Sequence, residues 1–245
     1  MQKFVHNVER NLIIKADLEQ LVKIKSLLTG SISAFAGILL VILLLINFII
    51  VQDDFLKYTN NKHHVHKNLS MSSSELDKVT ERMVAYVKGE VDSPQIVVEI
   101  VGKEAEFFNK KEIGHLADVR ELVSKLYVGM LCLSVVCVLG VVCLVKKKAY
   151  DAMIKGVFFA WGMIIFIAAG IGITALIDIH FVIDGFHKLF LGDSVWVLNP
   201  SLDRSVWMFM SGMYVDVLIV IGLIVAVVGS LSIGGAIIVK KVVLK

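Results

Sequence analysis

The sequence predicts an all-α membrane bundle of four transmembrane helices with a small extracellular α/β cap formed by the two outer loops. Of its 245 residues, 57% are hydrophobic, whereas a soluble domain is about 45–50% apolar even when glycine is counted. The mean hydropathy of +0.79 is too high for a soluble core of this size, which excludes a water-soluble globular enzyme. The 19% of charged residues require a substantial part outside lipid. The net charge of +3 gives no indication of a nucleic-acid partner.

Four charge-free runs, each about 20 to 25 residues long, account for the excess of apolar residues. A helix of this length rises about 1.5 Å per residue and crosses a hydrocarbon core of roughly 30 Å. The runs are apolar on every face, whereas buried helices of a soluble protein would show one apolar stripe. The first run is too long for a signal peptide, and no small-residue cleavage pattern follows it. The predicted spans are 27–51, 126–145, 156–177 and 217–239.

The distribution of lysines between the spans predicts the orientation. The link between spans two and three has four lysines against Asp151, and the tail after span four has three lysines and no acid. The loop before span four has five aspartates against Lys188 and Arg204. By the positive-inside rule both termini are cytoplasmic. The remaining segments are therefore a basic cytoplasmic N-terminal segment (1–26), an extracellular loop (52–125), a cytoplasmic link (146–155), a second extracellular loop (178–216) and a cytoplasmic tail (240–245).

The cysteines do not indicate redox chemistry. Cys132, Cys137 and Cys143 all lie in the second span, and none belongs to a CxxC pair. A disulfide-exchange enzyme would place paired cysteines at the outer surface, so that class is disfavoured and the three thiols are interpreted as packing residues.

Local signals predict the elements of the cap. Ser72 is a helix N-cap and Gly89 is a helix stop, with apolar residues at spacings of three and four between them. The β-branched stretch 95–101 indicates a strand. A capping box at Asn109 and Glu112 begins a helix that continues into the second span. In the second loop, 195–209 is typical of a β-hairpin with a longer connection.

Two histidines lie near the outer ends of spans, each beside carboxylates at helical spacing. His115 is one turn from Glu112 and Asp118, and His187 is three residues after Asp184. Histidine titrates near neutral pH, so these groups can act as acid and base. The alternative is that both histidines are merely solvated or cap helix ends.

A second histidine group lies early in the first loop. His63, His64 and His66 could ligate a transition metal, although no carboxylate accompanies them. The stretch is more typical of an incidental, solvated segment.

Two longer stretches resemble the motifs of a known family. Phe107 to Arg120 (FFNKKEIGHLADVR) is similar to the signature F-x-x-x-E-x-x-H-M-x-D-V-K, and Phe186 to Pro200 (FHKLFLGDSVWVLNP) is similar to F-H-x-L-F-F…W-x-x-D-P. Both signatures are those of the bacterial lipoprotein intramolecular transacylases, which are four-span membrane proteins of Gram-positive bacteria with an extracellular cap. The resemblance runs from the first span to the fourth.

The resemblance implies transfer of an acyl chain within one lipoprotein molecule. A diacylglyceryl lipoprotein with a signal-peptide-cleaved, free N-terminal cysteine would move its sn-2 acyl chain to its own α-amino group, giving the N-acyl, S-monoacylglyceryl (lyso) form. By resemblance the catalytic residues are His115 and His187, with Asp118, Asp184 and Glu112 in supporting roles. The amine is itself the nucleophile, so no protein nucleophile, cofactor or metal is expected, and which histidine is the base stays open. The protein is expected to contact membrane lipid, and a monomer is compatible with this chemistry.

The ring closed in the transition state requires a pocket that folds the substrate back on itself. Aromatic residues of both motifs are candidates for its wall, and core packing is the alternative for each of them. The candidate substrate-binding residues are Phe107, Phe108, Arg120, Phe186, Phe190, Trp196 and Trp207.

Two other functions compete with this hypothesis. One is a membrane acyltransferase or hydrolase that uses phospholipid as donor or target. The other is a non-enzymatic scaffold or metal-handling membrane protein that uses His63, His64 and His66.

Overall fold

The computed structural model describes residues 2–50, 52–191 and 198–243, and it confirms the predicted fold class. Four of the described helices are long and apolar enough to cross a membrane, and their ranges contain the four charge-free runs, apart from Ile50 and Val51. These helices cover Arg10–Ile49, Lys110–Lys146, Tyr150–Ile177 and Gly212–Val242.

The elements follow one another as a chain of helices interrupted by one small sheet. In chain order they are α1 (Gln2–Ile50), α2 (Asp53–Lys62), α3 (Val65–Asn68), α4 (Ser73–Lys88), β1 (Val97–Ile100), β2 (Lys103–Glu106), α5 (Lys110–Lys146), α6 (Tyr150–Ile177), α7 (Ile179–Leu191), a 3₁₀ helix (Arg204–Phe209) and α8 (Ser211–Val243).

The chain divides into two compact units. The first, termed the span unit, comprises Met1–Val41, Leu131–Phe166 and Val227–Lys245. Small residues permit close helix packing there, because a Cβ added at Gly30 would overlap the carbonyl of Ala152. The indole nitrogen of Trp161 donates a hydrogen bond of 2.6 Å to Ser232 Oγ, which pairs a polar group inside the apolar bundle.

The second unit, termed the cap unit, comprises Ile42–Met130 and Ile167–Ala226. Its core is built on α4, which begins as predicted, because Ser72 Oγ accepts a hydrogen bond from the Glu75 backbone N–H. The helix ends at Gly89, whose φ of +83° suits glycine. Apolar residues from α4, the 107–116 stretch and the 3₁₀ helix pack together as this core, including Leu76, Val79, Met83, Phe107, Phe108, Leu116 and Met208.

The strand predicted at 95–101 is present as β1, and it pairs antiparallel with β2. Val101 and Gly102 connect the two strands with positive φ values of 53° and 73°, the geometry of a tight type I′ hairpin turn. β2 is polar and mostly exposed, so its residues carry little of the alternating apolar pattern by which a strand is recognised.

The β-hairpin predicted at 195–209 is wrong at its second strand. Arg204–Phe209 forms a 3₁₀ helix, whereas 195–197 lie outside the described residues. The β-branched and aromatic residues of this segment favoured a strand locally, but their backbone is held by distant partners. Arg204 donates to the Glu106 carbonyl (2.7 Å), and Ser205 N–H donates to Glu112 (2.6 Å).

Candidate active site

The two histidines of the motifs lie against each other in the cap unit. His115 is in the second turn of α5, and His187 is near the end of α7. Their ring centroids are 5.9 Å apart and the ring planes differ by 26°, so the two imidazoles are stacked. Both lie outside the charge-free runs. His115 precedes residue 126 by about three helical turns, and His187 lies between the runs that end at 177 and begin at 217. The fold therefore brings together two acid/base groups that are far apart in sequence.

The environment of His115 favours its neutral form. Its Nδ1 is buried, and no group in the described part of the chain hydrogen-bonds to it. Burial lowers the pKa of His115 below its ordinary value, and the neighbouring His187 lowers it further. The charge of Asp118 opposes these effects and raises the pKa. The result is a desolvated imidazole able to accept a proton at neutral pH.

The orientation of His187 is set by its own helix. Nδ1 lies 2.7 Å from the carbonyl oxygen of Ile183, one turn earlier in α7. Because a carbonyl only accepts hydrogen bonds, Nδ1 carries the proton in this contact, and Nε2 is the nitrogen that exchanges protons. Asp184 was predicted to orient this ring, but the Ile183 carbonyl occupies that position, and a role for Asp184 stays a prediction.

Glu112 does not face the histidines. Its side chain is 1% exposed, and both carboxylate oxygens accept backbone hydrogen bonds. One oxygen accepts from Asn109 N–H (2.8 Å) and completes the predicted capping box, while the other accepts from Ser205 N–H (2.6 Å) in the second loop. Glu112 therefore joins the first turn of the His115 helix to the 3₁₀ helix.

Further contacts reinforce this junction, which the sequence did not reveal. Asn109 Nδ2 donates to the Asp203 carboxylate (2.7 Å), and the other oxygen of Asp203 accepts from Asn199 N–H (2.6 Å). We term these residues, together with Glu112 and Ser205, the loop junction. The capping box was the local sign of it, and its partners across the loops carry no sequence signal.

The aromatic candidates for substrate binding divide into two groups. Phe107 and Phe108 are 1% and 2% exposed and pack edge to face in the cap core, so the core alternative holds for them. Phe186 and Phe190 are 48% and 51% exposed, and their rings contact each other at a tilt of 44°. The Phe186 ring also contacts the His187 ring. These two phenylalanines offer an open apolar surface at the histidine pair.

Two of the other candidate substrate-binding residues, Arg120 and Trp207, make contacts with other parts of the cap unit. Arg120 lies over the Tyr86 ring (4.9 Å) and donates to the Val91 carbonyl, so it holds the chain beyond α4. Trp207 donates from its indole nitrogen to the Pro200 carbonyl (3.1 Å). Trp196 lies outside the described residues, and substrate roles for all three stay predictions.

The histidines of the first loop do not converge on a metal site. His63 Nε2 pairs with the Asp216 carboxylate at 2.8 Å, whereas His64 contacts His66 edge-on. Within residues 2–50, 52–191 and 198–243, no group of three His, Cys, Asp or Glu side chains is arranged to hold a metal ion. The metal-handling alternative therefore has no geometric support in the described chain.

Comparison with known proteins identifies the family. The family model "Lipoprotein intramolecular transacylase Lit" matches residues 31–214, well over half of the chain. The chain belongs to this family. It is therefore an acyltransferase and a multi-pass membrane protein, of a family that acts on lipoproteins. The resemblance of the two motifs to this family is therefore confirmed.

Solved structures of Lit from Bacillus cereus share the fold. One, a membrane-integral enzyme crystallised in meso, matches with a TM-score of 0.68 at 16% identity, covering 94% of this chain and 100% of that chain. Two others carry a histidine replaced by arginine or by alanine, and they match with TM-scores of 0.65 and 0.60. Each is 16% identical in sequence, and each match covers 95% of this chain. The two matches cover 96% and 94% of the Bacillus cereus chains, respectively. A search of the curated proteins finds no match.

Proposed function

We propose that this Lit family member moves the sn-2 acyl chain of a diacylglyceryl lipoprotein to the α-amino group of its N-terminal cysteine. The observation that carries this proposal is the stacked pair of His115 and His187, with ring centroids 5.9 Å apart. Aminolysis of an ester needs a base for the amine and an acid for the leaving alkoxide, and the pair supplies both. The product is the N-acyl, S-monoacylglyceryl form.

In this proposal His115 is the general base. Its lowered pKa keeps the ring neutral at pH 7, so the imidazole can accept a proton from the attacking amine. The α-amine of a peptide has a pKa of about 7.7–8.0, so a neutral imidazole completes its deprotonation as the new C–N bond forms.

His187 is the complementary acid. With Nδ1–H held by the Ile183 carbonyl, its Nε2 carries the proton that reaches the leaving glyceryl oxygen when the ester C–O bond breaks. One proton leaves nitrogen and one arrives at oxygen, so the transfer is balanced without a cofactor. In its protonated form the same ring also stabilises the tetrahedral oxyanion.

The exposed pair of Phe186 and Phe190 is the proposed contact surface for the acyl chain. The Phe186 ring contacts His187 and the Phe190 ring contacts Phe186, so an acyl chain packed on the two phenylalanines would place its ester carbonyl near the histidine pair. We propose that this site opens to the outer leaflet, with both termini cytoplasmic, as the lysine distribution indicates.

Mass spectrometry of the product tests the reaction. Purified protein in proteoliposomes is given a diacylglyceryl-cysteinyl lipopeptide, and tandem spectra locate each acyl chain. We expect an unchanged total mass, with one ester replaced by an amide at the N-terminus. A gain of one acyl mass would indicate a phospholipid donor and a loss would indicate hydrolysis. Either result would contradict the proposal.

The acid limb of the pH profile tests the role of His115. Both the substrate amine and His115 must be neutral, so log rate is expected to fall with unit slope below about pH 8. It should steepen only below pH 6.5, because the pKa of His115 is lowered. Asp118 raises that pKa, so Asp118→Asn should move the break to still lower pH.

The control is Glu121→Gln, at an exposed residue of the same helix that pairs with Lys125. A break that Asp118→Asn does not move would contradict the assignment.

A further inference from the structure

The N-terminal part of α1 is a long helix that no other described element covers. Every side chain in 10–25 is exposed, and the first residue after this stretch, Ser26, is buried. At 1.5 Å per residue these residues extend for about 24 Å. Nearly half of them are large apolar residues, including Leu12, Leu18 and Val22, each more than half exposed. The segment lies outside the 31–214 region that the family model matches. Large apolar residues exposed in this number on one helix indicate an interaction site.

The apolar residues of this segment include a heptad seam. Ile14, Leu18 and Leu21 are spaced by four and three, and Leu28 follows one heptad after Leu21. In this register Ile14, Leu21 and Leu28 occupy d positions and Leu18 an a position. Apolar a and d residues at a period of 3.5 are the pattern by which two helices pack knobs into holes. The complete seam is Asn11, Ile14, Leu18, Leu21, Lys25, Leu28 and Ile32.

The two polar residues of the seam, Asn11 and Lys25, both occupy a positions. A polar Asn or Lys at such a position lowers the stability of a coiled coil but specifies register and oligomeric state. Leu at a with Ile at d, as at Leu18 and Ile14, favours three or four strands. The polar residues at a therefore select the two-stranded form.

The seam occupies a different face of α1 from the one that packs within the span unit. Ser26 and Ser33 are 8% and 4% exposed, and a Cβ at Gly30 would overlap Ala152. At 100° per residue the seam lies roughly 120° around the helix from this packed face. Leu28 and Ile32, each 57% exposed, continue the open seam into the first charge-free run.

We propose that the seam binds the same seam of a second copy of this chain, as a parallel two-stranded coiled coil. Copies inserted in one bilayer share an orientation, so their α1 helices are parallel, as this heptad pairing requires. No glycine or proline interrupts α1 before Gly30, and the segment continues into the first charge-free run as one unbroken α-helix without a residue type that causes a kink. The partner is therefore a helix with the same sequence.

Cysteine cross-linking in membranes tests this pairing in the full chain. Cys132, Cys137 and Cys143 are first replaced by serine, and single cysteines are then introduced as Leu18→Cys, Leu21→Cys or Ile13→Cys. Disulfides form only between Cα atoms within about 7 Å, a distance that facing a and d residues approach. The matched control is Ile13, which is 63% exposed but occupies an outward c position. We expect the seam variants to give at least about fivefold more covalent dimer than Ile13→Cys on mild oxidation.

A second variant tests oligomeric state. Asn11→Ile should convert part of the population to trimers or tetramers, measured by cross-linking with a lysine-reactive reagent. Equal cross-linking at Leu18, Leu21 and Ile13, or none at any of them, would overturn the proposal. Absence of dimers together with protection of Leu18→Cys from a water-soluble thiol reagent would show instead that the segment lies on lipid, and would also overturn it.

Discussion

Replacing His115 or His187 by alanine is expected to lower the rate of acyl transfer by about 10²- to 10⁴-fold, the usual contribution of a positioned general acid or base. His115→Ala removes the neutral imidazole that takes the proton of the amine. His187→Ala removes the proton donor to the leaving oxygen. Because the two rings are stacked and act together in one acyl-transfer step, their effects should not add. The double variant should be about as slow as the slower single variant.

The measurement is the initial rate of amide formation in proteoliposomes, followed by mass spectrometry. His180→Ala is the matched control, since His180 is an exposed residue of α7, and its backbone N–H bonds to Asp178. Its rate should stay within about twofold of the unmodified protein, as is usual for an exposed side chain outside a site. Size-exclusion profiles establish that each variant is folded. Substantial activity in the His115→Ala, His187→Ala double variant would exclude the proposed mechanism.

Sequence reasoning succeeded wherever the signal was local. The four spans are charge-free runs, and hydrophobicity alone distinguishes them from amphipathic helices. Ser72 and Gly89 delimit α4 as predicted, because a cap acts within one turn of its own helix. The capping box at Asn109 and Glu112 was recognised for the same reason.

Sequence reasoning was wrong or incomplete wherever partners lie far apart in the chain. The 3₁₀ helix at Arg204–Phe209 was predicted as a strand, because its residue types favour one locally. The second partner of Glu112 is Ser205 N–H, 93 residues away, which no spacing rule could locate. The motifs indicated both histidines, but their stacking follows only from the folding of the two loops together.

The loop junction is expected to be the other sensitive point of the protein. Glu112→Ala removes the acceptor of two backbone donors, at Asn109 and Ser205, in a place that is 1% exposed. An unsatisfied buried donor costs about 1–3 kcal/mol, so we expect the free energy of unfolding to fall by about 3 kcal/mol. Glu112→Gln keeps one acceptor oxygen and should lose less. Unfolding in mixed detergent micelles measures both changes.

The same substitution should also affect catalysis, because Glu112 and His115 are one turn apart on α5. Releasing the first turn of α5 from the second loop would displace the His115 ring from His187, and a misplacement of about 1 Å can cost roughly 10²-fold in rate. Rates are compared well below the melting temperature of each variant, so that loss of position is separated from unfolding. The control is Glu121→Ala, at an exposed carboxylate of the same helix, which should change neither stability nor rate. A fully active Glu112→Ala protein would show that the junction stabilises the fold without positioning the histidines.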